Sequence, residues 1–276
     1  MREPLAAQPR DLGVRTSYHA CMEKTFVAYL DIVGFKALRK KLGSDGLLQR
    51  VTRAVVPAIE HASATAKKLV EVGGQKHLIA DFSTLRSQFR YFSDSVIFWQ
   101  ADASLKSFID CVVTVRELMS VGFAAQVPFR GAIGIGDFCV DAATGSFVGT
   151  ALEDAYVAAE STVWAGCVLT PAMAAHAVAE GHIEAFTSAC RASSDPKIAK
   201  HVSLFVDHEV EIQTLSREEP RSYRREKLIV LNWTLNMFPD ASVKCFQPTN
   251  NNHALRIIGN TQSFEKQMRN PGQELM

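Results

Sequence analysis

The chain has almost no excess of either charge: 30 lysines and arginines face 29 aspartates and glutamates, a formal net charge of +1 over 276 residues. So balanced a chain has no global field to draw in nucleic acid or a lipid surface, and any anionic ligand must be bound by local groups. Long apolar runs are missing too. No segment approaches the roughly 20 residues that cross a bilayer, and the stretch from Met1 to His19 lacks the uninterrupted apolar core of a signal peptide. A cytoplasmic protein is expected. The six cysteines (21, 111, 139, 167, 190 and 245) include no C-x-x-C pair and mostly lie among apolar neighbours, so they read as core thiols in a reducing compartment. The eight histidines form no H-E-x-x-H or similar cluster, which argues against a zinc hydrolase. No internal repeat or low-complexity tract occurs.

What is present is an ordinary globular composition, 47% hydrophobic, enough for one large domain or a domain with an appendage. Residues 1 to 22, with Pro4, Pro9 and Gly13, read as a flexible arm. Lys24 to Asp31 reads as a central strand. A helical pattern follows from Gly34, with Phe35, Leu38 and Leu42 on one face. A second helix is expected from about Asp45 to Val70, bent at Pro57. Then come a hairpin at Phe89 to Gln100, a helix at Ser104 to Val121, a strand at Val127 to Phe138, a turn at Gly145 to Gly149, a helix at Ala151 to Trp164 and a short strand at Cys167 to Thr170. This order is that of an α+β fold, a largely antiparallel sheet with helices covering one face. Residues 23–180 are expected to form the main domain. Residues 181–276 are expected to form a β-rich extension packed on the same sheet, with strands near His201 to Ile212 and Lys227 to Leu235 and a frayed tail from Gln262.

Two aspartates stand out. Asp31 ends the apolar strand Val27-Ala28-Tyr29-Leu30-Asp31-Ile32, and Asp94 sits in the turn Phe92-Ser93-Asp94-Ser95. A carboxylate at the edge of a core is costly unless a cation neutralises it, and a divalent ion with oxygen ligands is a natural partner. Taken singly, an aspartate after a strand is more often a cap or turn residue; here two occur, each flanked by its own apolar strand. Val33-Gly34-Phe35 lies where the strand enters a helix, so its backbone N–H groups can meet phosphate oxygens, although an ordinary strand-to-helix turn has the same composition. Gly131, Gly134 and Gly136 lie inside a strand pattern with no helix opening after them, which excludes a dinucleotide fingerprint.

With those residues placed, the chain resembles the class III nucleotidyl cyclases, and within them the Pycsar antiphage pyrimidine cyclases. The likeness is carried by Leu30-Asp31-Ile32-Val33-Gly34-Phe35, by Phe92-Ser93-Asp94-Ser95, and by Arg130-Gly131-Ala132-Ile133-Gly134-Ile135-Gly136 leading to Gly149-Thr150-Ala151-Leu152-Glu153-Asp154-Ala155-Tyr156. It spans roughly residues 24 to 170. The resemblance implies a ferredoxin-like cyclase palm. It implies two Mg²⁺ or Mn²⁺ ions per site, held by the catalytic aspartates Asp31 and Asp94 with the Ile32 carbonyl, and phosphates bound by Val33, Gly34 and Phe35. It places base selection at Arg90 and Ser146. Arginine offers donors and no acceptor, which suits the carbonyls of uracil and gives UTP a slight preference over CTP.

The implied reaction converts UTP to 3′,5′-cyclic UMP and pyrophosphate, a second messenger read by a separate effector protein. The implied assembly is a homodimer with composite sites, with no nucleic acid or membrane partner. One departure is plain: the family's transition-state asparagine and arginine fall at about Glu153 and Val157, which cannot replace them. Either cations come from elsewhere, with Arg130 a candidate whose simpler reading is a salt bridge, or the domain binds nucleotide without catalysis. Cyclic CMP synthesis stays open as a third possibility.

Overall fold

The computed structural model describes residues 19–65, 67–72, 75–80, 88–141, 144–214, 222–234, 245–246 and 251–269. Its centre is β1 (His19–Ile32), buried on both faces because Phe26, Val27, Ala28 and Leu30 are all inaccessible to solvent. On one side β1 pairs antiparallel with β5 (Ser95–Trp99), which forms a hairpin with the edge strand β4 (Gln88–Phe92). On the other side it pairs with β6 (Phe129–Asp141), through a register shift between Met22 and Thr25. The sheet continues from β6 through the parallel β8 (Cys167–Leu169) to β10 (Tyr223–Leu231) and β9 (Phe205–Gln213), while β7 (Ser146–Val148) extends β6. A separate hairpin joins β2 (Lys67–Val72) and β3 (Gln75–Ala80).

Side chains alternate along a strand, and on β1 this separates two helical layers. Phe26 meets Phe108 of α2 (Leu105–Ala124), ring centroids 6.0 Å apart; Tyr29 meets Tyr156 of α3 (Thr150–Ser161) at 5.3 Å. Helices therefore cover both faces of the central strands, which corrects the expected single covered face. The glycines of β6 explain how α3 fits: a Cβ on Gly134 would stand 2.3 Å from the Ala151 carbonyl oxygen, so only glycine lets the helix cross so closely. With α1 (Phe35–Thr65) lying against α2, these layers enclose the main core.

Several boundaries differ from expectation. β1 begins at His19, so residues 19–22 belong to the sheet and not to an arm; residues 1–18 lie outside the described part. α1 departs from helical geometry at Gly43 (φ 72°), where glycine tolerates a positive φ, and β2 occupies the end of the expected second helix. The C-terminal strands do not pack on the sheet; β10 hydrogen-bonds to β8 and prolongs it. Between β8 and β9 run α4 (Pro171–Ala179), α5 (His182–Ala192), α6 (Pro196–Ala199) and a 3₁₀ turn. Nor does the chain fray at Gln262: α7 (Asn252–Arg269) carries Phe264 with no exposed surface, wedged against Trp164 and Trp233. Cys111, Cys167, Cys190 and Cys245 are buried thiols as expected, but Cys21 and Cys139 stand opposite each other on β1 and β6 and form a disulfide, which corrects the reading of all six as core thiols. Among the described residues no helix is long and apolar enough to cross a membrane.

Candidate functional site

Asp31 and Asp94, remote in sequence, meet where β1 ends. Pairing of Asp31 with Ser95 sets the register, and the Ile32 N–H donates to the Asp94 carbonyl oxygen at 2.9 Å, tying the β4–β5 turn to the last residues of β1. The turn itself is tight, with Ser93 at φ 55°. Backbone bonds thus fix the relative position of the two segments before any side-chain interaction is counted.

Asp31 is not left alone in this setting. Arg130, at the head of β6 and opposite Asp31 in the register, donates from Nη2 to Asp31 Oδ2 at 3.3 Å and also binds Glu160 near the end of α3. Even so the Asp31 carboxyl is pushed up to about 6: burial is the main cause, the Arg130 charge opposes it, and the negative charges of Asp94 and Glu160 add to the rise. Two carboxylates, Asp31 and Glu160, share the Arg130 guanidinium, and Asp94 adds a third negative charge close by. Beside them Tyr29, whose phenol is bonded to Ser95 Oγ at 2.8 Å, is pushed up to about 12, chiefly by burial.

Gly34 follows with φ 74°, and nothing would obstruct a Cβ there, so the requirement for glycine is conformational. Its carbonyl accepts from the Leu38 N–H at 3.0 Å and opens α1, whose first turn has no acidic residue. First-turn N–H groups lack intrahelical acceptors and favour anions. Gly34, Phe35 and Lys36 line the same cleft as the aspartates. Val33 also lines it, but its N–H donates to the Pro128 carbonyl oxygen at 2.8 Å, so the expected phosphate contact from that backbone group is already taken.

The cleft holds about 640 Å³, within the usual few hundred to 1,000 Å³ of small-molecule sites. Asp31, Asp94, Gly34 and Arg130 line it from the sheet and the start of α1; Phe246 and the first turns of α7, with Asn251, His253 and Ile257, line it from the C-terminal segment. A second cleft of about 450 Å³ lies between β9 and α7. There Asp207 pairs with Lys227, Glu209 with Arg225 and Glu211 with Arg256, which leaves no comparable build-up of carboxylate charge.

Arg90 and Ser146 do not join the cleft. Both are exposed; Arg90 Nη1 donates to the Phe89 carbonyl oxygen and Ser146 Oγ accepts from Thr144. Through Ile97, Arg90 aligns with Tyr29, whereas Ser146 aligns through Asp141 with His19, about ten residues or roughly 30 Å away along β1. Within one chain they cannot touch the same base. Glu153 and Val157 are exposed on α3.

Sequence reasoning missed Glu160 and the α7 wall. Glu160 had a signal: an arginine opening a buried strand requires a counter-charge, and Asp31 alone does not satisfy it. The α7 wall had none, since its residues share no motif with β1.

Among the described residues no group of three or more histidines, cysteines and acids gathers into a metal cage. The Asp31–Asp94 pair is nevertheless a hard-oxygen donor set, and Mg²⁺ is commonly held by one or two carboxylates with substrate phosphates completing the shell. The residues present therefore fit a divalent ion bound together with a phosphorylated ligand.

No family model matches this chain, and no curated protein matches it. Among solved structures it is similar to the catalytic core of a rhodopsin-guanylyl cyclase with converted specificity, in complex with ATPαS, at 10% identity and a TM-score of 0.42, over 77% of this chain and 97% of that one.

Proposed function

We propose that this protein is a nucleotidyl cyclase that converts UTP to 3′,5′-cyclic UMP and pyrophosphate, with CTP the alternative substrate, and that the product is a second messenger in antiphage defence. The observation that carries the reading is the convergence of Asp31 and Asp94 in one cleft beside an acid-free helix start. In the reaction the ribose 3′-oxygen forms a bond to the α-phosphorus, the bond from that phosphorus to the bridging oxygen breaks, and the hydroxyl proton is lost. Asp31, Asp94 and the Ile32 carbonyl are the groups that would hold two Mg²⁺ or Mn²⁺ ions. Metal bound there supplies acidification of the hydroxyl and neutralisation of triphosphate charge.

The rest falls to the chain. Gly34 and Phe35 present the opening N–H groups of α1 to phosphate oxygens, and Lys36 adds a cation on the same wall. Arg130 orients Asp31, and Glu160 holds Arg130 in place. A homodimer is part of the proposal, supported by the large apolar side chains of Val148 on β7 and of Tyr156 and Val157 on α3, each 48–62% exposed.

A non-catalytic reading, in which a cyclase-like domain binds nucleotide and signals through dimer contacts, is favoured by one observation: Arg130 is engaged by two carboxylates, and α3 offers no cation at 153 or 157. Incubating the purified protein with Mn²⁺ and each of the four nucleoside triphosphates, with products resolved by mass, decides between them. Cyclic UMP supports the proposal, cyclic CMP moves it to the alternative, and tight binding without turnover supports the signalling domain.

A further inference from the structure

The two walls of the 640 Å³ cleft differ in chemistry. One holds all the Asp, Lys and Arg side chains of the lining, Asp31, Asp94, Lys36 and Arg130, with the helix start, among apolar neighbours such as Phe35, Leu38 and Pro128, and its charges suit phosphate and its counter-ions. The other presents Phe246, Ala254, Ile257 and Ile258 together with the polar tips of Asn251 and His253. An apolar surface edged by hydrogen-bonding groups does little for a triphosphate and suits a flat, amphipathic ring. We infer that the C-terminal segment reads the nucleobase in cis, with Phe246 and His253 as specificity-determining contacts on the same chain that carries Asp31 and Asp94. The inference rests on the nucleotide-cyclase reading and names which part of the molecule recognises the substrate's base.

His253 is braced for such a role. Its Nδ1 lies 3.4 Å from the Tyr223 hydroxyl, and the two rings are stacked with centroids 6.5 Å apart. Arg256 covers the Tyr223 ring at 4.4 Å and is pinned by Glu211 at 2.6 Å. Three elements, β9, β10 and α7, therefore combine to hold one imidazole against the cleft, and preorganisation of this kind limits what ordering costs on binding. Beside Phe246, Cys245 is buried, and its thiol is pushed up to about 12 by that burial, which makes it packing rather than a nucleophile. Neither Arg90 nor Ser146 reaches this space. A base bound in cis accordingly has the C-terminal wall as its partner.

The test uses the full-length protein with Mn²⁺ and each of the four nucleoside triphosphates. Phe246→Ala and His253→Ala are each expected to raise KM for the preferred nucleotide about tenfold, change kcat less than threefold, and narrow the preference among bases; Phe246→Leu and His253→Gln guard against loss of folding, which circular dichroism reads. A mixed dimer of Asp31→Asn with Phe246→Ala separates cis from trans. Assayed with substrate well below the wild-type KM, a base read in cis leaves no site with full function, and activity stays at about half the Phe246→Ala level, on the order of a twentieth of wild type, because only the Phe246→Ala subunits keep Asp31. If it is read in trans, one of the two sites in each mixed dimer is intact, and random pairing restores about a quarter of wild-type activity, which would overturn the inference. Unchanged KM in folded variants would overturn it as well, while leaving the cyclase reading intact. A wild-type protein that neither binds nor converts any nucleotide removes both.

Discussion

The two walls of the cleft are held in place by different means. The carboxylate wall belongs to the sheet: Ile32 is bonded through its backbone to Asp94, Val33 to Pro128, and Arg130 sits opposite Asp31 in the β1–β6 register. The C-terminal wall is docked by side chains: Phe264 between Trp164 and Trp233, Asn260 donating to the Val163 carbonyl oxygen and to Glu211, and Thr261 Oγ accepting from the Ala165 N–H. Backbone bonds survive most substitutions, whereas a docked helix depends on its contacts. On the proposed reading, chemistry that needs fixed geometry falls to the first wall, and recognition, which tolerates adjustment, to the second.

The sharpest way to break this contrast is to remove charge from the first wall. Asp31→Asn and Asp94→Asn keep side-chain volume and should each cut product formation by on the order of 10²–10³-fold, the scale of losing one preorganised charge-stabilising group. Circular dichroism and melting should show an intact fold. Full activity in either variant would end the two-carboxylate assignment. On the second wall, Phe264→Ala deletes a fully buried ring and should cost about 3–5 kcal/mol of stability, measured by denaturant unfolding. If α7 is docked as described, sub-stability temperatures should show a raised KM with kcat falling less. A loss of kcat equal to that of Asp31→Asn would mean that the two walls are not separable.

A smaller effect sharpens the first wall from within. Gly34→Ala meets no steric obstacle but forces a β-carbon into φ 74°, so about 1–2 kcal/mol of strain is expected. Its activity loss should appear in KM for the triphosphate. An unchanged KM would argue that the opening N–H groups of α1 do not meet the substrate.

The contrast also explains what was legible. Asp31, Asp94 and Gly34 lie in short apolar contexts whose pattern gives strand, turn and helix start, because neighbours in sequence decide local backbone geometry. The strands of the core region and the helix at 105–124 follow for the same reason. The tail reads as polar because α7 touches the core through a few positions, Ile257, Thr261 and Phe264, too sparse to dominate its average. Glu160 and His253 acquire meaning only through partners far away in the chain, Arg130 at thirty residues and Tyr223 at thirty. The base-reading expectation at Arg90 and Ser146 met the same difficulty from the other side: sequence spacing carried no information that they stand near opposite ends of β1.

The least disruptive test concerns pH. Burial, with Asp94 and Glu160, places the Asp31 carboxyl at about 6 in the folded chain, against about 3.9 for a free aspartate. The folded state then binds more protons than the unfolded state between those values, so stability falls as pH rises through that window. The penalty is absent below about pH 4 and complete above about pH 6. Asp31→Asn removes it at every pH, at the expense of the Arg130 bond, which Glu160 partly replaces. In metal-free buffer the variant should therefore melt at least as high as wild type at pH 7.5, by up to a few degrees, and the advantage should shrink towards pH 4.5. Such a gain would match the general trade-off in which functional charges are kept against stability. A variant less stable than wild type at pH 7.5 and equal to it at pH 4.5 would reverse the sign, and would mean that Arg130, not burial, governs Asp31.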